Sequence, residues 1–333
     1  GRRWTTRSTF VATTASRSDD PNDQQRAAPG QPRSRHHSLT IPNDIVNLTL
    51  CPRSRADTRS CWTCQTDLVK VRLVATDLDG TFFGADHRPE ARSVAAMNAA
   101  QATGIICVAV TGRSHMGGIP LATSTGAELD WFIGSNGGHR VNLRTFEIEE
   151  RLCFADDDVA EIRRRLEAED DGFAFGWEAE DQLHWEAPFI ELYPNRLTGN
   201  ALRAEDRLSD GTTPNGVGKM FVAHPHLGHS RLIERLQPHV GRHHATSSGI
   251  NFAEVTPHGA DKGTALARLC AQLDIVAEEV VAFGDNLNDL TMLAWAGRGV
   301  AMGNALNEVK AVADETTSTN VEFGVARILE ELV

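Results

Sequence analysis

The sequence lacks any apolar run long enough to cross a bilayer. Its longest aliphatic stretches, such as Ile105 to Val110, are strand-sized. No segment has the charged-then-apolar layout of a secretory signal, so a soluble, cytoplasmic protein is expected. Positive charge is also scarce. The 333 residues carry 33 Lys and Arg against 45 Asp and Glu, a net charge of -12, which argues against nucleic-acid and anionic-membrane partners because both attract basic patches. Phosphate itself is not excluded, since a local cation or a ring of backbone N–H groups suffices to bind it. Cysteine forms no spaced framework outside the first 70 residues. Cys107 and Cys270 sit in apolar runs as small buried residues, and with Cys153 they fit a reducing compartment.

Residues 1–69 contain no Lys and no Glu. Their ten Arg and six Asp give +4 and leave -16 for the remainder. This segment is rich in Ser, Thr and Pro and has too little apolar surface to offset the entropy of ordering, so residues 1–68 are expected to be a disordered tail. A misassigned leader, with the natural start close to Val69, and an Arg-rich transit peptide are alternatives, although the six Asp weaken the second. Cys61 and Cys64 have zinc-ligand spacing, with Cys51, His36 and His37 nearby, but there is no second tight pair.

From Val71 onward, short β-branched runs alternate with helical stretches, the pattern of a parallel sheet with crossover helices. Strands are expected at Val71–Thr76, Ile105–Val110, Val280–Phe283 and Gly299–Met302, and helices at about Pro89–Thr103, Lys262–Leu273 and Asn288–Ala296. Between them the chain becomes more acidic and aromatic and ends on a strand near Ile250–Thr256. The spacing predicts a core split into 69–142 and 257–333 by an insertion at 143–256.

Ligands of an open α/β sheet bind at the carboxyl ends of its strands. Asp77-Leu-Asp79-Gly-Thr81 follows the first expected strand, Thr111-Gly112-Arg113 the second, and Gly284-Asp285 with Asn288 and Asp289 the third. Asp77 and Asp79 are two apart and point the same way on extended chain, which is costly without a cation. With Asp285 they form a hard oxygen set suited to Mg²⁺, which commonly bridges a protein to a phosphate. Lys262 opens a helix and can neutralise charge on a transferring group. Each fragment alone has an ordinary role: a turn, a strand-end cap, a solvated lysine. Their joint order is what points to phosphoryl chemistry.

Together these motifs resemble those of the haloacid dehalogenase superfamily. Asp77-Leu-Asp79-Gly-Thr81, Val110-Thr111-Gly-Arg113, Asp261-Lys262-Gly263 and Gly284-Asp285-x-x-Asn288-Asp289 are similar to its four motifs in order. Ser135-Asn136-Gly137 and Val300-Ala-Met-Gly-Asn304-Ala305 resemble the Cof-type, or IIB, subgroup. The resemblance implies a doubly wound, Rossmann-like α/β core with an inserted α/β cap of the C2 type. It also implies a Mg²⁺-dependent phosphatase acting on a small phosphorylated metabolite through an aspartyl-phosphate. In that reading Asp77 is the nucleophile, Asp79 the general acid and base, and Thr111 a phosphoryl ligand. Lys262 orients Asp77. Asp77, Asp285 and the carbonyl of Asp79 hold Mg²⁺, with Asn288 and Asp289 supporting. Gly112, Arg113 and Asn136 complete the expected substrate contacts.

A phosphomutase on the same core and a non-enzymatic sensor of phosphorylated ligands are the competing functions. The intact acidic set disfavours the sensor. In the insertion, Trp177, His184 and Trp185 are candidates to face the leaving group, although buried aromatics more often form cap core. His224, His226 and His229 flank loop residues with no partnering carboxylates, and Lys219 reads as structural.

Overall fold

The computed structural model describes residues 70–155, 157–193, 206–247 and 251–333. The expected tail at 1–68 and the Cys61/Cys64 pair lie outside these residues. The chain runs β1 (Leu73–Thr76), α1 (Ala91–Ala102), β2 (Ile106–Val110), α2 (His115–Thr123), β3 (Trp131–Gly134), β4 (His139–Asn142) and β5 (Glu147–Arg151). It continues through α3 (Asp158–Glu169), β6 (Ala174–Ala179), β7 (Gln182–Trp185), α4 (Ala187–Leu192), β8 (Asp206–Leu208), β9 (Val217–Ala223), α5 (His229–Val240), β10 (His244–Thr246) and β11 (Ala253–Thr256). It closes with α6 (Lys262–Gln272), β12 (Val280–Gly284), α7 (Leu290–Trp295), β13 (Arg298–Ala301), α8 (Asn307–Val312), β14 (Glu315–Thr316) and α9 (Gly324–Leu329).

These strands form two sheets. The first has the order β14-β13-β12-β1-β2-β3-β4-β5 and is parallel from β14 to β3. β1, the four buried residues Leu-Val-Ala-Thr, lies at its centre. Helices cover a parallel sheet on both faces, which is why its strands are near-continuous apolar runs rather than alternating ones. The chain winds outward from β1 through β2 and β3, then returns on the other side through β12 and β13. Adjacent strands thus diverge between β1 and β12, the crevice in which α/β proteins bind ligands. Thr76 pairs with both Phe283 of β12 and Ala109 of β2, so the residues after all three strands emerge together.

Two helix ends matter to that edge. The Asp261 side chain caps α6 by accepting the Thr264 N–H at 2.9 Å, leaving Lys262 as the first helical residue. Gly263 packs α6 against α7 so closely that a Cβ there would stand 2.5 Å from the Thr291 carbonyl.

The second sheet has the order β10-β11-β9-β6-β7-β8. One face packs on α3 and α5: Phe175, Trp177, Met220, Val222, Ala253 and Val255 meet Val159, Ile162, Leu166, Leu232, Leu236 and Val240. Side chains alternate across a strand, so the intervening residues Glu178, Lys219 and Glu254 fall on the opposite face, and all three are buried.

The hairpin at the start of the expected insertion belongs to the first sheet. β4 and β5 form an antiparallel hairpin that extends the first sheet, with Val141 opposite Ile148. Residue 143 falls inside its turn, and the elements carrying the second sheet run from α3 to β11.

Candidate active site

Asp77 leaves β1 and is buried. Lys262 Nζ donates to its Oδ1 at 2.6 Å and to Asp289 Oδ1 at 2.5 Å. Lys262 is fully buried. Burial alone would lower its pKa, but the charges of Asp289 and Asp77 outweigh this and hold the ammonium above its ordinary range. Asp77 shows the converse. Burial pushes its carboxyl well up against the pull of Lys262, and repulsion from Asp289, Asp285 and Asp79 adds to the rise.

Asp285 stands at the end of β12 and accepts from Thr81 Oγ1 at 2.6 Å. Burial and then Asp289 push its carboxyl up to about 6. Gly80 sits beneath it with φ +86°, and a Cβ there would fall 2.4 Å from Asp285 Oδ2. Only glycine allows both this left-handed turn and this approach. Asn304 Nδ2 fixes the turn from outside by donating to the Gly80 carbonyl at 2.8 Å.

Among the described residues, Asp77, Asp285 and Asp289 bring one carboxylate oxygen each within 4.8 Å of one another. Asp289 differs from the other two. Its Oδ2 accepts the N–H groups of Asp285 and Asn286, both at 2.9 Å, and its Oδ1 takes Lys262. It therefore organises the loop. Asp77 and Asp285, whose carboxyls are raised by burial and then by neighbouring carboxylates, are the oxygens in need of positive charge, and a hard divalent ion fits that need.

Asp79 points elsewhere. The Arg113 guanidinium grips it with two hydrogen bonds of 2.5 Å, and His87 Nδ1 lies 2.9 Å from its Oδ1. Burial would raise the Asp79 carboxyl, but the bonds and charge of Arg113, joined by His87, hold it below its ordinary value. The side chain expected to serve as general acid and base is thus in an ion pair, and Arg113, expected on the substrate, is its partner. Thr111 is buried, and its Oγ1 accepts the Arg113 N–H at 3.2 Å.

The chain leaves β3 through Ser135 and Asn136, both at positive φ without being glycine, a strain that clusters at functional sites. Their N–H groups donate to the carbonyls of Arg113 and Thr111 at 2.8 and 3.0 Å. Asn136 accepts from Asn288 Nδ2 at 3.0 Å and donates to Glu254 Oε2 at 3.1 Å. The structure therefore brings Asn136 and Asn288 together.

Three contacts from the second sheet were missed in the sequence. Lys219 Nζ donates to the Gly112 carbonyl at 2.6 Å and to Glu254 Oε1 at 3.0 Å. Ser135 Oγ donates to Glu178 Oε1 at 2.5 Å. Each of these charged residues interrupts an otherwise apolar strand, as in Val-Gly-Lys219-Met-Phe-Val-Ala, and that interruption was the available signal. Trp177 and Trp185 are fully buried within the second sheet's own packing, with Trp185 Nε1 donating to Asp206 at 2.9 Å. His184 lies beside Trp185 on β7, and His224 pairs with Asp170 at 3.3 Å.

A doubly wound sheet with carboxylates at its crevice and an inserted second sheet defines an α/β protein whose site is suited to a cation and an anionic ligand. Residues 74–329 match the family described as haloacid dehalogenase-like hydrolase. Phosphatase YwpJ of Bacillus subtilis is 32% identical over 292 residues, covering 79% of this chain and all of the relative. The same organism's 5-amino-6-(5-phospho-D-ribitylamino)uracil phosphatase YcsE is 29% identical, covering 81% and 98%. A haloacid dehalogenase-like hydrolase from Bacteroides thetaiotaomicron superposes with a TM-score of 0.64 at 28% identity, over 79% of this chain and 100% of that one. The chain belongs to the haloacid dehalogenase-like hydrolases, as its four motifs imply. No helix among the described residues is long and apolar enough to cross a membrane.

Proposed function

We propose that this chain is a Mg²⁺-dependent phosphatase that hydrolyses a small phosphorylated metabolite through an aspartyl-phosphate on Asp77. The observation that carries the reading is Asp77 itself, buried at the end of the central strand with Lys262 Nζ 2.6 Å from its Oδ1. A carboxylate so held is oriented for in-line attack. Bound between Asp77, Asp285 and the Asp79 carbonyl, Mg²⁺ would supply the charge that keeps both carboxylates ionised and screens the phosphoryl oxygens.

In the first half-reaction an Asp77 oxygen bonds to phosphorus as the ester P–O bond breaks, and Asp79 gives its proton to the departing alkoxide. In the second, Asp79 takes a proton from water, whose oxygen attacks the same phosphorus. Inorganic phosphate leaves and Asp77 is restored. Thr111, Lys262 and Asn288 steady the phosphoryl oxygens through these steps. Arg113 exchanges partners: a phosphate oxygen competes for its guanidinium, and Asp79, once released, is free to be protonated.

Names of relatives such as the ribitylaminouracil phosphatase support a small phosphorylated metabolite as the substrate class. The second sheet, tied to the site through Lys219 and Glu254, acts as the cap that excludes water and selects among such compounds. A screen of phosphate esters with Mg²⁺ tests the reading. Phosphate release should be lost in Asp77→Asn, by at least about 10³-fold, and both half-reactions should slow in Asp79→Asn. Near-normal turnover in Asp77→Asn contradicts the mechanism.

A further inference from the structure

We propose that His115, His139 and Glu178 form a second metal site, selective for zinc-like ions, that joins the two sheets at a place separate from the acidic cluster. His115 opens α2, His139 opens β4, and Glu178 lies on β6 of the second sheet. All three are buried, at 4%, 2% and 1% exposure. One ligand-type atom from each lies within 4.8 Å of the others.

Hydrogen bonding points to a missing ligand. His115 Nδ1, His139 Nδ1 and Glu178 Oε2 are all buried without a hydrogen-bond partner, and together they make up half of the six such side-chain atoms among the described residues. A buried polar atom left unpaired costs about 1–3 kcal/mol, so one such atom on each of three clustered side chains calls for a ligand among them. The His115 tautomer suits a metal. Its Nε2 lies 3.1 Å from Asp181 Oδ1, a carboxylate that only accepts, so Nε2 carries the hydrogen and Nδ1 presents a lone pair. Carboxylate to imidazole to metal is the usual way a ligating histidine is oriented.

Spacing and charge agree. Ligands about 2.0–2.1 Å from zinc stand about 3.4 Å apart at a tetrahedral angle, and His139 Nδ1 already lies 3.4 Å from Glu178 Oε1. Lys219 Nζ is 3.6 Å from Glu178 Oε2, but its closer partners are Glu254 and Gly112. Arg151 is paired with Asp181 at 2.6 Å. Two imidazoles and one carboxylate leave a fourth position open and favour zinc over Mg²⁺, which prefers oxygen ligands. Since His115 and His139 lie in the first sheet's part of the chain and Glu178 in the second, a bound ion would fasten the second sheet beside the Ser135–Asn136 strand exit.

The test uses the full chain, stripped with a chelator and then saturated with Mg²⁺ to fill the acidic cluster. Titration with Co²⁺ as a spectroscopic probe should give one equivalent of a visible spectrum typical of four-coordinate nitrogen and oxygen ligation, displaced by Zn²⁺. Zinc affinity should fall more than about 100-fold in His115→Asn and His139→Asn and by about 10-fold in Asp181→Asn, while Asp285→Asn keeps it. No binding by the wild-type chain, loss in Asp285→Asn, or unchanged binding in both histidine variants overturns the proposal. Should a histidine variant fail to fold, zinc-edge X-ray absorption of the wild type decides. Nitrogen and oxygen scatterers alone at about 2.0 Å support the site, and sulfur at about 2.3 Å assigns the ion to the cysteines instead. Failure here leaves the phosphatase reading intact, because that reading rests on Asp77 and Asp285.

Discussion

At the scale of single residues, two ion pairs mark the crevice, Asp77 with Lys262 and Asp79 with Arg113. Asp77, Asp285 and Lys262 announced themselves because each follows an apolar strand or opens a helix, positions that a linear sequence displays. That Asp79 would be claimed by Arg113, 34 positions away, was not visible, because side-chain direction after a turn depends on tertiary packing. The pair has a measurable consequence. Arg113 holds the Asp79 carboxyl low, so Arg113→Ala should move the Asp79 titration to higher pH, read by NMR of labelled aspartate carboxyls, and should raise KM for phosphate esters. An unmoved titration would contradict the pairing.

Asp285 makes the opposite prediction. Its folded carboxyl titrates at about 6, above the unfolded value of about 3.9. The stability it contributes to the metal-free protein is therefore complete below the unfolded value and is lost as pH rises through about 6. Metal-free wild type should lose thermal stability relative to Asp285→Asn between about pH 4 and pH 7. Added Mg²⁺ should raise the Tm of wild type at neutral pH and leave Asp285→Asn largely unchanged. A parallel pH course for the two proteins would contradict a carboxyl raised by burial and by Asp289.

At the scale of elements, β1, β2, β12 and β13 were readable from their unbroken apolar runs, whereas β3 and β14 were not. Nor was the β4–β5 hairpin. His139-Arg140-Val141-Asn142 carries a single aliphatic residue, and Ser135-Asn136-Gly-Gly before it resembles a departure from the core. What makes it a strand is pairing with β3, with Ile133 opposite Arg140, and pairing partners are not local. The polar face of the second sheet was likewise hidden, since Glu178, Lys219 and Glu254 come from three strands separated in sequence. Lys219→Met tests that face. It leaves the buried Glu254 carboxylate without its cation, and breaking such a pair costs about 3–5 kcal/mol, to be read as a shift in the urea unfolding midpoint. A shift below about 1 kcal/mol, the range of exposed pairs, would show that the face is solvated.

At the scale of the molecule, the two sheets divide the labour. The first gathers Asp77, Thr111, Lys262 and Asp285 at one crevice because β2, β1 and β12 end side by side. The second lays a buried charged face over the loops that leave that crevice. The motif order made the first arrangement the expected one, since three of those residues follow strands and Lys262 opens a helix. The second could be sensed only as an acidic, aromatic insertion, because its contacts depend on how one sheet meets the other. The central claim is covalent chemistry at Asp77, and chemical trapping tests it directly. Enzyme turning over acetyl phosphate with Mg²⁺ is quenched in acid and reduced with borohydride, which converts an aspartyl-phosphate to homoserine, and its peptides are then sequenced by mass spectrometry. The account predicts homoserine at position 77 in wild type and none in Asp77→Asn. Homoserine at another aspartate, or none during active turnover, would contradict it.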